Sequence, residues 1–412
     1  MIVEFHVIQN LGPSNINRDD TGTPKNVKFG GTRRARVSSQ SWKRAIRDFF
    51  REEELFDETE LGTRTKRLVK VISEQLHVLR PEGNRNEHVR TVTDVIGEAV
   101  GIDSKSNPAL KLVEMNEPYD INAIKSKYLV YAAPSEITQI VEEISNQYDD
   151  LTSTKEDVRK KALGKFKNSL FEKIDGRKAI DIALFGRMLA DLPESNVDGA
   201  TQFAHAISTH TIEIESDYYT AVDDLKPDDN DGADMIGYVD YVAPTLYRYA
   251  NIDVDQLKKN LGGDKGLTKR TVAAFARAFV ETLPGGKRTS MDTSTLPAIA
   301  VAVVRDRGRW SLVNAFVEPV DRIIKNQEFE ILRDPNATSA YAPDPVTASI
   351  QLLAAEWQDI SMLYGTGQRI STCVLVRSRY CDAATDLGPR TMSLEDWVSF
   401  ASEGLSPDKA NA

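Results

Sequence analysis

Residues 2–8, Ile-Val-Glu-Phe-His-Val-Ile, set apolar side chains around single polar ones, the pattern of a strand covered on at least one face. They predict the first strand of a sheet. Residues 11–23 carry no period and read as a loop. From residue 38 the period becomes helical: Trp42, Ala45, Ile46, Phe49 and Phe50 share one face, with Ser38 or Ser39 placed to cap the start. Between about 64 and 175 the pattern predicts four more helices. These rest on Leu68, Val71, Ile72 and Leu79; on Val89, Val92 and Ile96; on Ile137, Ile140, Val141 and Ile144; and on Val158, Leu163, Phe166 and Leu170 behind Thr154 and Asp157, a variant capping box. Sheet signals return at Ala179. Residues 181–188 run apolar into Gly186-Arg187-Met188, residues 203–215 alternate around Ile212 and Ile214, and 246–252 and 297–304 are further strand candidates. A helix is expected to start near Asn314. After it come a loop over 334–345, a helix over 346–364, an extended piece over 373–376 and a last helix over 393–402. A strand, a helical insertion and then more strands predict an α+β fold.

Composition changes this picture little. The chain of 412 residues has room for two or three structural units, and 41% hydrophobic with 28% charged residues is ordinary for a soluble globular protein. No apolar run is long enough to span a bilayer, and the N-terminus enters a strand at once, so the expected location is cytoplasmic with no membrane partner. Cys373 and Cys381 form no metal pattern and read as free thiols in or near a core. Nothing in the pattern asks for a cofactor.

Charge changes it more. The formal net charge is -10, yet residues 21–47 hold eight basic residues (Lys25, Lys28, Arg33, Arg34, Arg36, Lys43, Arg44, Arg47) and no acid. Such a reversal needs an anionic partner or buried acids. Gly30-Gly31 permits positive φ and a close backbone approach, and Lys43, Arg47 and Arg51 recur every four residues along the following helix. Ser39, Gln40 and Ser41 place donors in its first turn, at the positive end of the helix dipole. The segment reads as a site for a nucleic-acid backbone, against the plainer reading of a solvated basic face. Arg18 could reach a phosphate or be held by its neighbours Asp19 and Asp20.

Residues 216–242 stand apart, with eight aspartates and only Lys226 to offset them, and read as a hairpin or loop leaving the sheet. His205 and His210 read as packed or hydrogen-bonded residues. Two other functions compete. Asp19, Asp20, Asp223 and Asp224 are the carboxylates available to a metal-dependent ribonuclease. A scaffold would instead use Lys43 and Arg47 to hold acidic protein partners.

Several motifs together bring in a family. Asn17-Arg18-Asp19-Asp20, the stretch 29–45 (Phe-Gly-Gly-x-Arg-Arg-x-Arg-Val-Ser-Ser-Gln-Ser-x-Lys-Arg-Ala), Gly186-Arg187-Met188 and Asp198-Gly199-Ala200 resemble the CasC family, the backbone subunit of the type I-E CRISPR surveillance complex Cascade. So do Ala204-His205-Ala206-Ile207-x-Thr209-His210, residues 220–225, Tyr247-Arg248-Tyr249-Ala250-Asn251-Ile252, Asn260-Leu261-Gly262-Gly263 and Asn314-Ala315-Phe316. The resemblance implies a hand-like subunit: a palm related to the RNA recognition motif (ferredoxin-like), helical fingers and a thumb. The palm would hold residues 1–50, 176–208 and 244–320, the fingers 51–175 and the thumb 209–243, with 321–412 an extension packed on the palm. Copies would stack head to tail on the guide crRNA, beside large, small, guide-end-capping and guide-processing Cascade subunits, and present bases to a target DNA strand. The subunit would bind rather than cut. Such a filament must grip phosphate and sugar. The implied contacts are Arg18, Lys28, Gly30, Gly31, Arg33, Arg34, Arg36, Ser39, Gln40, Ser41, Lys43, Arg44, Arg47 and Arg187. Met188 and Tyr219 would lie against the displaced base at each kink, Tyr219 beside Tyr218 and Val222 as stacking and wedge surfaces. Without the resemblance, Met188 reads as a core methionine.

Overall fold

Strand β1 (Ile2–Asn10) runs through the middle of the main sheet, and all but its last residue are buried, Glu4, His6 and Gln9 included. The computed structural model describes residues 1–173, 179–189, 193–221, 235–325, 344–365 and 368–403. After β1 come the hairpin β2 (Asn26–Phe29) and β3 (Thr32–Val37) and helix α1 (Ser39–Glu52). The chain then leaves the sheet for β4 (Thr63–Thr65), α2 (Leu68–Leu79), α3 (Arg85–Val100), α4 (Asn107–Met115) and β5 (Val130–Ala132). It continues through α5 (Pro134–Asn146), α6 (Tyr148–Leu151), α7 (Glu156–Lys173) and α8 (Ile180–Phe185). It returns with β6 (Thr201–Phe203), β7 (Ala206–Ser208), the pair β8 (Glu215–Ala221) and β9 (Met235–Tyr241), and β10 (Thr245–Asp253). Last come α9 (Val254–Asn260), α10 (Lys265–Glu281), β11 (Ile299–Arg305), α11 (Val320–Lys325), α12 (Pro345–Tyr364), β12 (Ile370–Val376), β13 (Arg390–Thr391) and α13 (Leu394–Glu403).

These elements form two units. One holds residues 1–53, 201–254 and 266 onward, the other residues 54–200 and 255–265. In the first, nine strands make one sheet in the order β13-β12-β11-β1-β10-β7-β3-β2, with β6 also on β10. All pairs are antiparallel except β12 with β13. Its interior on one face joins Ile8, Tyr247 and Val301 to Phe316, Leu353 and Trp357. The second unit is helical, with a core of Ile72, Val92, Ile96, Ile140, Ile144 and Phe166, positions that gave its helices their period, and of Leu76, while Leu79, assigned to the same face, is exposed. The α+β expectation holds, as a mixed sheet with many helices. Among the described residues no helix is long and apolar enough to cross a membrane.

Two expectations are corrected here. Residues 181–188 are not a strand: residues 180–185 form the short helix α8, and a buried apolar run of that length carries no period to separate helix from strand. Residues 203–215 are extended only in pieces, with β6 ending at Phe203, β7 covering Ala206–Ser208 and β8 beginning at Glu215. The acidic stretch does leave the main sheet, as the separate two-stranded pair β8–β9. Residues 222–234, with Val222 and six of the eight aspartates, lie outside the described residues. The C-terminal segment does more than pack on the sheet, since it supplies strands β12 and β13.

Candidate nucleic-acid interface

The basic stretch folds into the hairpin β2–β3 and helix α1, and the direction of each side chain sorts its cations. On the hairpin, Lys28 pairs directly across from Arg33, and both are exposed. Two cations facing each other across strands repel. Neither has an ion-pair partner among the described residues, so an outside anion between them would relieve the repulsion. Gly30 (φ 56°) and Gly31 (φ 80°) make the turn in the left-handed region. A Cβ on Gly30 would lie 1.6 Å from the Val317 carbonyl oxygen, so the close approach made there is to the protein's own backbone. Gly31 faces open space.

Arg34 is a correction. Its side chain points inward with 0% exposure, and its guanidinium donates to Thr32 Oγ1 and to the carbonyls of Ser208, Thr209, Phe316 and Val317. It ties β3 to two other segments and offers no donor to a ligand.

Helix α1 presents three faces. Of the five residues assigned to the core face, Trp42, Ile46 and Phe50 are buried, whereas Ala45 and Phe49 are half-buried and belong to the groove face described below. A second face carries the stripe of Lys43, Arg47 and Arg51; Lys43 is half-buried, and burial holds its ammonium below the usual lysine range. The third face, with Ser41, Arg44, Ala45, Asp48, Phe49 and Glu52, lines a groove of about 960 Å³ with the 17–20 loop and residues 281–288. Arg18 and Arg44 therefore sit among Asp19, Asp20, Asp48, Glu52, Glu53 and Glu281, and Arg44 lies 3.5 Å from Asp48. That flank is more acidic than basic, so Arg18 and Arg44 stand apart from the stripe.

The start of α1 is also corrected as an amide anion site. Ser38 N–H donates to Asn17 Oδ1 (2.8 Å), Ser39 N–H to His205 Nδ1 (3.2 Å), Gln40 N–H to Ser38 Oγ (3.3 Å) and Ser41 N–H to the Ser38 carbonyl (2.9 Å). With these amides engaged, phosphate binding there falls to side chains. The side chains available include two that the motifs left out of the site: Lys25, a cation, and His205, a neutral imidazole whose Nδ1 is taken by Ser39 N–H. Burial, and then the charges of Arg36 and Lys25, hold the His205 imidazole below its ordinary pKa. His205 lies 166 residues from Ser39, a separation no local motif bridges; only the density of basic residues hinted at Lys25.

In the second unit Arg187 is likewise corrected. It is buried, 2.8 Å from the Glu136 carboxylate, and also donates to the carbonyls of Tyr131 and Ser195. The neighbouring motifs are structural too. Gly186 and Gly199 pack so closely that a Cβ on either would lie within 2.9 Å of the other's segment, and Asn260 Nδ2 donates to the carbonyls of Ala183 and Asp198. Met188 is 82% exposed, so it is a surface methionine and no part of the core.

On the β8–β9 pair, Tyr219 lies across Gly237, where a Cβ would come within 2.5 Å of its ring. Tyr219 stays exposed. The opposite face carries Tyr218 against Tyr238, ring centroids 5.4 Å apart, with Ile236 beside them. Tyr238 and Ile236 went unremarked in the sequence, since an aromatic in an acidic stretch gives no sign of its exposure.

The carboxylates open to a metal give little geometry. Asp19 Oδ1 accepts from Thr21 N–H, Thr21 Oγ1 and Thr23 N–H, bonds that close its own loop and hold its carboxyl below the usual range. Asp223 and Asp224 lie outside the described residues. Among the described residues no three His, Cys, Asp or Glu side chains converge as a metal site.

A chain of a solved CRISPR RNA-guided surveillance complex in a pre-nicking state is 28% identical to this one. The match covers 98% of this chain and 100% of that chain, with a TM-score of 0.77. A chain of another CRISPR RNA-guided surveillance complex, 24% identical over 98% of this chain and 100% of its own, shares the fold with a TM-score of 0.66. No curated protein matches. The family described as CT1975-like protein matches residues 3–399. By that match the chain belongs to the CT1975-like protein family, and the CasC resemblance carried by its motifs stands.

Proposed function

We propose that this chain is the guide-binding backbone subunit of a type I-E CRISPR surveillance complex. In this reading copies polymerise head to tail along crRNA in the cytoplasm, each gripping the RNA backbone and leaving bases to pair with target DNA. The observation that carries it is the cationic surface of the first unit: Lys28 opposite Arg33, both exposed, with half-buried Lys25 and Arg36 joined backbone to backbone and the Lys43–Arg47 stripe on α1. A surface of side-chain cations reads phosphate whatever the base, which suits a subunit that must accept any guide. The likeness to a chain of an RNA-guided surveillance complex over its full length supports the same reading. The main sheet then serves as an RRM-like palm, the helical unit as fingers and the β8–β9 pair as a thumb. Tyr219 and Met188 serve as apolar surfaces against a displaced base. The six carboxylates around Arg18 and Arg44 make the groove flank of α1 unsuited to a phosphate track. No cutting of the guide is part of this role.

Native mass spectrometry of the purified protein with a repeat-spacer guide RNA tests it, with and without Mg²⁺. Several protomers per intact RNA, rising with spacer length, are expected. A single protomer, or RNA cut only when metal is added, would overturn the reading.

A further inference from the structure

Arg248 sits in the middle of β10 with 0% exposure. Its guanidinium carbon is 3.8 Å from the centroid of the Trp42 ring on the core face of α1 and 4.7 Å from that of Phe279. It donates to Gln9 Oε1 and to the Phe279 carbonyl, while its Nε and the Trp42 Nε1 have no hydrogen-bond partner. Two other buried arginines have a carboxylate: Arg305 lies 2.7 Å from Glu4 and Arg187 2.8 Å from Glu136. Arg248 has none within ion-pair distance among the described residues. Burial pushes its pKa down to about 9, which still leaves the guanidinium charged near neutral pH. A buried cation without a counter-charge is strongly unfavourable, and two aromatic faces offset only part of the lost hydration.

We infer that Arg248 is a positioning residue for guide binding, a cation under α1 whose missing counter-charge is the RNA phosphate held on the outer side of that helix. The inference rests on the RNA-binding reading above. An α-helix with its side chains is about 10–12 Å across, and Arg248 lies beyond the Trp42 ring, so a phosphate on the outer side is about 15 Å away. At an effective dielectric of about 20 to 40, the attraction corresponds to roughly two- to sixfold in affinity. The stack on Trp42 also fixes the roll of α1, and with it the direction of Lys43. Linkage makes the effect reciprocal: RNA stabilises the wild type more than a variant with a neutral side chain at this position.

The test compares full-length wild type, Arg248→Met, Arg248→Lys and Lys43→Ala. Each is measured for affinity to a guide-length single-stranded RNA and for melting temperature with and without that RNA. Arg248→Met, which removes the charge and keeps the bulk, is expected to lose about three- to sixfold in affinity. Its RNA-free melting temperature should be equal or higher, and its RNA-induced rise smaller. Arg248→Lys should recover most of the affinity. Wild-type affinity in Arg248→Met, beside a loss in Lys43→Ala, overturns the inference and leaves the RNA reading intact. So does a loss of both affinity and RNA-free stability that Arg248→Lys does not restore, because that marks a purely structural role. Unchanged binding in both Arg248→Met and Lys43→Ala strikes the RNA reading itself, and this inference with it.

Discussion

The Gly186–Met188 corner of the helical unit and the start of α1 in the sheet unit both set basic residues beside glycine or small polar ones, and they treat charge in opposite ways. At the corner the arginine turns in to a carboxylate and the methionine turns out to solvent. On α1 the aromatic residue turns in and the cations of the stripe turn away from the core. Whether a cation is internal mortar or binding surface thus depends on a carboxylate or carbonyl cluster contributed from far along the chain. The residues around the cation do not announce it.

The sharpest break of this comparison is Arg187→Ala. It strands Glu136 in the interior, and an uncompensated buried charge costs about 3–5 kcal/mol, which urea unfolding should register. A drop in RNA affinity with unchanged stability would instead make Arg187 a contact. Arg34→Ala comes next: four carbonyls and a hydroxyl lose their donor, for about 2–4 kcal/mol. Arg33→Ala, its outward-facing neighbour, should change stability by less than about 0.5 kcal/mol. Equal effects from the two would erase the inside–outside distinction.

Inside the sheet unit, His6 is buried as a neutral imidazole, with Nδ1 2.9 Å from Tyr247 Oη. Burial, aided by Arg305, pushes its pKa down to about 3. A histidine depressed in the fold contributes stability that is complete above its ordinary pKa of about 6.5 and lost as pH falls toward the folded value. Between pH 7 and 5 that amounts to about 2 kcal/mol. The difference in unfolding free energy between those pH values should shrink in His6→Gln, and an unchanged difference would contradict the assignment. The smallest effect sharpens the outward side. Lys43→Ala should leave melting nearly unchanged, weaken RNA binding about tenfold on all sequences alike, and lower the salt slope by about 1.

Legibility followed the same divide. The buried face of α1 could be read because Trp42, Ile46 and Phe50 recur at helical spacing, and α2, α3, α5 and α7 of the helical unit because they keep that period, whereas the shorter α4 and α6 were not read. Residues 180–185 could not, being too short to show any period. Arg33 and Arg34 are adjacent cations on a strand with three arginines in six residues, so alternation fixes that they face opposite ways but not which one faces in. The answer lies in carbonyls at 208–209 and 316–317. Arg187 meets Glu136 across 51 residues, and the α1 amides meet Asn17 and His205. Each partner is supplied by tertiary structure, which no window of local sequence contains.

The position of β1 has a consequence for how the chain is made. Its ladder partners are β10 and β11, so this strand cannot complete its pairing until residues near 305 have emerged. At about 5–20 residues per second, that is a wait of roughly fifteen seconds to a minute on the ribosome. Meanwhile residues 54–200 can gather most of the helical core from nearly contiguous sequence. For that interval the nascent chain trails an unpaired apolar strand behind a folding helical body, the kind of client that holding chaperones shield.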